Sequence, residues 1–361
     1  MSKVRFGLVG CGYFGGELAR IVRRLEGGEV VAVYGGSRAD ALAAELGCEA
    51  ADSLAALAKR SDVDAVIVAS PSHAHREPVM EAARHGKHVF CEKPVALSLR
   101  DCEDMLVACR EAGVHFMVGH IMHFMNGVRT VKRLVAQGAI GRPIVCHAER
   151  TGWEEKQAVV SWKKNKAASG GHVFHHIHEL DLLQAIMGPA SAVVAAGGNL
   201  AHRGDGYGDE EDVLLLTLAF ADGALGTMQY GSGFRWGEHY VKINGTEGAV
   251  KIDLGNSRVE LRKDGGTTRF LLNHSEEADE ERSRSYNRTD GGITYGTAAS
   301  RLPGWLSHVM REEMAYFRDV VAGEPVDEEF RALFDGTSAR SSVAAAAGAM
   351  VSMEGRSWVK L

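Results

Sequence analysis

The sequence contains no Cys-x-x-Cys pair, although it has six cysteines, Cys11, Cys48, Cys91, Cys102, Cys109 and Cys146. This spacing argues against a zinc ribbon or a redox dithiol, and it predicts free thiols in a cytoplasmic protein. No apolar run approaches the roughly 20 residues that span a bilayer, so we expect no membrane association. Met1 to Lys3 lead directly into a strand-like run, which leaves no room for a signal peptide.

An excess of positive charge is also missing, because 41 lysines and arginines face 47 aspartates and glutamates, for a net charge of −6. A nucleic-acid partner is therefore not expected, since phosphate binding needs a concentrated basic surface. With 45% hydrophobic and 24% charged residues, the composition is that of a globular protein. A chain of 361 residues exceeds a typical single core, and we predict two domains.

A glycine-rich turn follows the first predicted strand, Val4 to Val9, and precedes a helical pattern. The turn has the G-x-G-x-x-G spacing of a dinucleotide site: Gly10 makes the bend, Gly12 admits a pyrophosphate and Gly15 lets the helix pack closely. The helix N-terminus would then face the phosphates. We predict that this turn binds the cofactor, with Tyr13 and Phe14 among the contacts.

The second predicted strand ends at Gly35 and Gly36, where an NAD enzyme usually places an acidic residue for the ribose. Ser37 and Arg38 stand there instead and could hold a 2′-phosphate, which favours NADP over NAD. Equally, Ser37 could cap the following helix and leave Arg38 in solvent.

Strands and helices continue to alternate, which predicts an α/β Rossmann fold with a doubly wound parallel sheet over residues 1–123. Ser70 and His75 follow the buried run 64–69 and are candidate cofactor contacts. Glu92 and Lys93 end the next strand, at the edge where parallel sheets place their chemistry. The Lys93 ammonium can donate a hydrogen bond to a substrate hydroxyl or pass on a proton.

Longer alternating strands follow and predict an α+β second domain over residues 124–361, with a mostly antiparallel, open sheet. Val213 to Phe220 and Leu225 to Tyr230 read as a hairpin. The stretches 196–212 and 273–304 read as loops, and an alanine-rich helix over 330–353 is expected to pack back near the domain junction.

Four histidines lie within seven residues, His172, His175, His176 and His178. His178 opens a helical pattern, and the helix dipole favours a neutral ring there that can act as a general base. Asp181, one turn later, could orient this ring or support the helix N-terminus. The cluster could also bind a metal, but no further ligand is identifiable at a defined spacing, so we predict none.

The glycine turn, Glu92-Lys93-Pro94, and Gly170-Gly171 followed by His178-Glu179-Leu180-Asp181, occur in this order and at these separations. In this they resemble the Gfo/Idh/MocA oxidoreductases, essentially from end to end. The resemblance implies NAD(P)-dependent oxidation or reduction of a hydroxyl on a sugar or cyclitol. Lys93 would bind that hydroxyl and His178 would accept its proton.

The resemblance also implies that Trp162, Lys163, His120 and His123 lie near the cofactor or substrate. We assign Trp162 and His120 to the cofactor, and Lys163 and His123 to the substrate. Family members usually carry an aspartate four residues before the catalytic histidine, where this chain has Phe174. His175 could replace it as a catalytic and substrate-binding residue.

Three hypotheses about function follow. The first is hydride transfer between the nicotinamide and a secondary hydroxyl of a sugar, glycoside or cyclitol. The second is redox-neutral cleavage of a glycosidic bond by transient oxidation and elimination, which the histidine-rich segment motivates. The third is a non-catalytic dinucleotide sensor. A homodimer or homotetramer formed through the open sheet is expected.

Overall fold

The structure is a computed structural model that describes residues 3–287 and 302–361. Contacts between Cα atoms divide it into two compact units. The first comprises residues 3–121, 302 and 306–340, and the second comprises residues 122–287, 303–305 and 341–361. Each unit therefore combines distant stretches of the sequence.

The N-terminal part of the chain alternates strands and helices. Its elements are β1 (Val4–Val9), α1 (Tyr13–Arg24), β2 (Gly28–Tyr34), α2 (Ala39–Leu46), β3 (Glu49–Ala50), α3 (Leu54–Lys59), β4 (Ala65–Val68), α4 (Arg76–Arg84), β5 (His88–Glu92), α5 (Leu99–Glu111) and β6 (Phe116–Gly119).

The central part of the chain contains most of the second sheet. Its elements are α6 (Asn126–Ala136), β7 (Pro143–Thr151), α7 (Lys166–Ser169), α8 (His172–His175), α9 (His178–Met187), β8 (Ala190–Gly198), β9 (Val213–Phe220), β10 (Leu225–Gly231), β11 (His239–Gly245), β12 (Gly248–Asp253), β13 (Arg258–Lys263), β14 (Gly266–Leu271) and α10 (Glu276–Asn287). The C-terminal part adds α11 (Gly304–Val321), α12 (Arg331–Phe334), α13 (Thr337–Gly355) and β15 (Val359–Lys360).

The first unit holds a six-stranded parallel sheet in the order β3-β2-β1-β4-β5-β6. Strand β4 is buried throughout, as a sheet covered by helices on both faces requires. The order reverses between β1 and β4, and such a switch point is where doubly wound sheets bind ligands. The predicted Rossmann fold is confirmed.

Serine side chains cap two helices of this unit. Ser53 Oγ accepts a hydrogen bond from Ala56 N and caps α3, and Ser98 Oγ accepts one from Asp101 N and caps α5. Helix α11 lies on the same sheet, where Phe317 contacts the rings of Phe6 and Phe90.

The second unit holds a nine-stranded sheet in the order β14-β13-β12-β11-β7-β10-β9-β8-β15. All neighbouring strands are antiparallel except β7 and β10, so the mostly antiparallel second domain is confirmed. The hairpin of β9 and β10 turns at Gly223, which has a φ of 86°.

The loop predicted over 196–212 is confirmed from Asn199 to Asp212, while residues 196–198 belong to strand β8. Two other predictions about local structure are wrong. The charged run in 273–304 forms helix α10 where a loop was predicted; residues 288–301 of that stretch lie outside the described residues. The predicted helix 330–353 is interrupted at Gly336, whose φ of 87° ends α12 before α13 begins. Contacts of the buried Asp279 side chain stabilise α10, whereas the break before α13 is set locally by Gly336.

Candidate functional site

The glycine turn between β1 and α1 leaves room for a dinucleotide. Gly10 has a φ of 101°, and a Cβ there would clash with the backbone of Ser70. A Cβ on Gly15 would clash with the carbonyl of Gly10, whereas a Cβ on Gly12 would meet nothing within 4 Å. Gly10 and Gly15 therefore close the turn, while the backbone at Gly12, the N-cap of α1, stays open. This open helix N-terminus fits the pyrophosphate of NAD(P).

Arg38 lies beside this turn. It is the N-cap of α2, so the alternative in which Ser37 caps that helix is wrong. Burial raises the pKa of Cys11, between the first two glycines, to about 11, and the Arg38 guanidinium acts against this increase. The N–H of Cys11 donates to the Gly35 carbonyl at 3.0 Å, so the segment that leads from β2 to Arg38 begins at the glycine turn.

His75 links the end of β4 to the turn that follows β5. It is 1% exposed, with Nε2 lying 2.8 Å from the carbonyl oxygen of Ser70 and Nδ1 lying 2.9 Å from that of Pro94. Burial lowers the pKa of His75, and the carbonyls of Ser70 and Pro94 oppose this decrease. The ring supports both segments, and its direct contact with a cofactor stays a prediction.

Lys93 follows directly after strand β5, at the carboxyl edge of the parallel sheet. Its backbone N–H donates to Glu92 Oε2 at 3.2 Å, and the Lys93–Pro94 peptide bond is cis. The Glu92 side chain is buried, while Lys93 is half-buried. At the end of the neighbouring strand β6, His120 is 1% exposed. Lys93 is therefore placed on a supported turn, as its sequence context predicted.

The histidine segment of the second unit begins with one short turn of helix, α8, which follows α7 and precedes α9. Gly170 and Gly171 have φ values of 83° and 91°, and a Cβ on Gly171 would lie 2.6 Å from Glu211 Oε2. This close approach places α8 directly against Glu211. His178 is the first residue of α9, as predicted.

The histidine rings are packed against each other. The His175 and His176 rings stack with centroids 4.2 Å apart, and the centroids of His172 and His176 lie 4.5 Å apart. Burial lowers the pKa of His176 well below its ordinary value, and the nearby charges of Arg150 and Lys164 lower it further. The surroundings of His176 therefore disfavour the protonated form of its ring.

Glu179 forms a buried network that the sequence did not indicate. It is fully buried, with Oε1 lying 2.7 Å from His239 Nε2 and accepting from Arg150 Nη1 at 3.3 Å, while Tyr230 donates to Oε2 at 3.1 Å. Burial acts to raise the pKa of Glu179, but Arg150 and His239 outweigh it and hold the pKa well below its usual range. The network anchors the first turn of α9, next to His178.

Asp181 lies beside a different histidine from the one considered in the sequence. Its Oδ2 atom is 2.8 Å from Nε2 of His123, and both side chains are 1% exposed. The Nδ1 atom of His123 lies 3.4 Å from Lys132 Nζ. Both ring nitrogens of His123 therefore face charged side chains, and its predicted contact with substrate stays a prediction.

Trp162, Lys163 and Lys164 form a single 3-10 turn with different surroundings. Trp162 is 40% exposed, and Lys163 is exposed as well. Lys164 is directed inward, where its Nζ lies 2.9 Å from Glu154 Oε2 and 2.7 Å from Glu210 Oε1. Glu210 is a buried carboxylate that sequence reasoning missed; its only signal was the acidic run Asp209 to Asp212.

The described residues, 3–287 and 302–361, contain no group of three or more His, Cys, Asp or Glu side chains placed to hold a metal ion. All six cysteines are free thiols, and burial raises the pKa of Cys102, Cys109 and Cys146 to about 12. No helix in the described part of the chain has the length and apolar character needed to cross a membrane.

A Rossmann unit with an open glycine turn, joined in sequence to an α+β unit, is typical of dinucleotide-binding enzymes. Residues 4–120 match the model of the oxidoreductase family's NAD-binding Rossmann fold, and residues 132–361 match that of its C-terminal alpha/beta domain. The chain belongs to the Gfo/Idh/MocA oxidoreductase family.

Two relatives share nearly the whole length of the chain. The 2,7-anhydro-N-acetylneuraminate hydratase of Mediterraneibacter gnavus is 46% identical over 96% of this chain and 93% of its own. The enzyme of the same name from Escherichia coli is 46% identical over 97% and 95%. An NAD-binding oxidoreductase from Klebsiella pneumoniae has the same fold, with a TM-score of 0.81 at 22% identity over 99% of both chains.

Proposed function

We propose that this protein opens the anhydro bridge of a 2,7-anhydro sialic acid by adding water, using NAD(P) that is oxidised and reduced within each turnover. The observation that carries this proposal is 46% identity, over at least 96% of the chain, to two enzymes named for that reaction. The packed histidines with their buried carboxylates support it, because elimination needs more proton-transfer groups than the oxidation of a hydroxyl.

The chemistry of such a substrate dictates which carbon is oxidised. The bridge joins C2 to O7, and C3 lies between C2 and the hydroxyl-bearing C4. When C4 is a ketone, the C3–H bond becomes acidic, and loss of that proton breaks the C2–O7 bond with the electron pair leaving on O7. Water then adds across C2 and C3, and C4 returns to an alcohol. The sum is the addition of one water without net oxidation.

The cofactor, when bound at the open turn around Gly12, supplies reversible hydride acceptance. Lys93 donates a hydrogen bond to the C4 hydroxyl and stabilises the alkoxide that forms there. His178 takes the hydroxyl proton, and His175 assists in the proton transfers of elimination and addition.

A dehydrogenase that releases an oxidised sugar or cyclitol is the second candidate, because Lys93 and His178 alone suffice for it.

One experiment distinguishes the candidate functions. Purified protein should be loaded with NAD+ and given 2,7-anhydro-N-acetylneuraminate in D₂O. We expect N-acetylneuraminate carrying deuterium at C3, with no net gain of reduced nicotinamide. Steady accumulation of reduced nicotinamide would instead identify a dehydrogenase, and tight cofactor binding without any turnover would identify a sensor.

The preference between NADP and NAD is expected to depend on Arg38. We propose a preference for NADP, because the Arg38 cation lies beside the glycine turn and no acidic residue follows β2 directly. Arg38→Ala should weaken NADP(H) binding about tenfold, since one charge-assisted contact is worth roughly 1.4 kcal/mol. Binding of NAD(H) should be nearly unchanged. Fluorescence titration of both cofactors measures this, and equal losses for the two would contradict it.

A further inference from the structure

The loop between β8 and β9 is acidic, and it packs against residues Lys164 to Lys166, which lead into the histidine segment. The loop runs from Asn199 to Asp212 without regular structure, and Gly208 approaches Lys164 so closely that a Cβ there would clash with the lysine backbone. The N–H of Asp209 donates to the Lys164 carbonyl at 3.1 Å, and Asp209 Oδ1 accepts from the N–H of Lys166 at 2.6 Å. These contacts give the next residue, Glu210, a defined position.

Glu210 is a charged group held inside the protein. It is 3% exposed, and burial acts to raise its pKa, but His172 and Lys164 outweigh burial and lower it. Its Oε1 atom accepts from Lys164 Nζ at 2.7 Å. Its Oε2 atom is buried and has no hydrogen-bond partner among residues 3–287 and 302–361. Burying a carboxylate oxygen without a hydrogen bond lowers the stability of the folded protein, so we expect Glu210 to have a functional role.

Two histidines face the Glu210 carboxylate. Nδ1 of His172 lies 3.5 Å from Oε1, and Nδ1 of His175 lies 4.0 Å from Oε2. The second distance is too long for a hydrogen bond, so the interaction is electrostatic in this structure. The His175 side chain is 20% exposed, whereas that of Glu210 is 4% exposed. The Nδ1 edge of His175 is thus turned to the carboxylate while part of the ring stays accessible.

We propose that Glu210 is the positioning residue of His175 and that this couple serves the cleavage step of the reaction rather than the oxidation step. The carboxylate favours the tautomer of His175 with the proton on Nδ1, which leaves Nε2 as the proton acceptor. It also stabilises the imidazolium that forms when Nε2 accepts a proton. This inference rests on the function proposed above.

The proton balance of that reaction requires such a group. His175 Nε2 takes the proton from C3 as the C2–O7 bond breaks, and the leaving oxygen takes a proton from water. The hydroxide that remains adds to C2, and the His175 imidazolium, which exchanges its proton with solvent between the two steps, protonates C3. His178 already takes the C4 hydroxyl proton, so a separate group is needed to remove the proton from C3 and to protonate C3 again after water adds.

The variant Glu210→Gln tests the couple, because it keeps the size of the side chain and removes its charge. In the full-length protein loaded with NAD+, we expect transient formation of reduced nicotinamide from 2,7-anhydro-N-acetylneuraminate to be retained. Release of N-acetylneuraminate and deuterium exchange at C3 should both fall about 100-fold. Glu210→Asp retains the carboxylate and should recover part of the cleavage.

Glu211→Gln is the matched control, since Glu211 is buried in the same loop and pairs with Lys166. It should keep the wild-type ratio of cleavage to transient oxidation. Nitrogen-15 NMR of the histidine rings in the cofactor-free protein adds a readout that is independent of turnover. Glu210→Gln should shift the Nδ1 resonance of His175, whereas Glu211→Gln should not.

The possible outcomes separate this inference from the function on which it rests. Wild-type cleavage by Glu210→Gln, an equal loss of oxidation and cleavage, or an unchanged Nδ1 resonance would each overturn it. If wild-type protein shows neither C3 exchange nor cleavage, the proposed function fails, and with it the assignment of Glu210 to the cleavage step. The NMR comparison then decides whether Glu210 positions His175 at all.

Discussion

Lys93→Met is expected to reduce turnover about 10³-fold while cofactor binding persists. Methionine keeps the length and the apolar stem of the side chain but lacks the ammonium that would stabilise the alkoxide. The turn itself should survive, because Glu92 accepts from the backbone N–H of residue 93 and His75 lies against the Pro94 carbonyl. Transient formation of reduced nicotinamide and release of product, measured on the same protein, would both show the loss.

Lys87→Met is the matched control for this experiment. Lys87 precedes the same strand at its other end, and its Nζ donates to the carbonyls of Arg60 and Val63 at 2.7 and 2.8 Å. Its loss should lower thermal stability and leave turnover per folded molecule unchanged. Full turnover by Lys93→Met with cofactor bound would refute the assigned role of Lys93.

Glu313→Gln should raise thermal stability, and the gain should grow with pH. Glu313 is 1% exposed on α11, and no group in the described part of the chain hydrogen-bonds its Oε1 atom. Burial raises the pKa of Glu313 well above its ordinary value, and the nearby Glu92 charge adds to the increase. The folded protein therefore holds a proton that the unfolded chain releases.

The sign of the pH dependence follows from this shift. The stability associated with Glu313 is complete below the unfolded pKa of about 4.3, and it decreases by about 1.4 kcal/mol per pH unit as the pH rises toward the folded pKa. Glutamine has no such loss. Thermal unfolding should show little difference near pH 5 and a gain of roughly 5 °C at pH 8.

Glu312→Gln provides the control, because Glu312 is exposed on the same helix. It should change the unfolding temperature little at either pH. A gain for Glu313→Gln that is the same at both pH values would show that the carboxyl group does not hold an extra proton in the folded state.

The features that local sequence determines were predicted correctly. The glycine turn and the start of α9 at His178 both depend on residues a few positions apart, whose backbone preferences act within one turn. The position of Lys93 after β5 belongs with them, since a short apolar run followed by Pro94 marks the end of a strand.

Other elements could not be read from local patterns. Strand β14 is mostly exposed, with Gly266, Thr267 and Thr268 at its start, so it has no hydrophobic alternation. It forms because β13 offers an edge to pair with. Helix α10 carries a charged run that is typical of a solvated loop, yet Asp279 is buried and accepts from the N–H groups of Leu272 and Asn273.

The sequence by itself determined the fold class, the cofactor turn and the residues available for proton transfer. Only the tertiary structure decided which carboxylate meets which histidine. Asp181 pairs with His123, 58 positions away, Glu179 pairs with His239, 60 positions away, and Glu210 faces His175, 35 positions before it. The physical reason is that a buried charge is tolerated only where folding supplies a partner, and that partner is set by packing between distant segments.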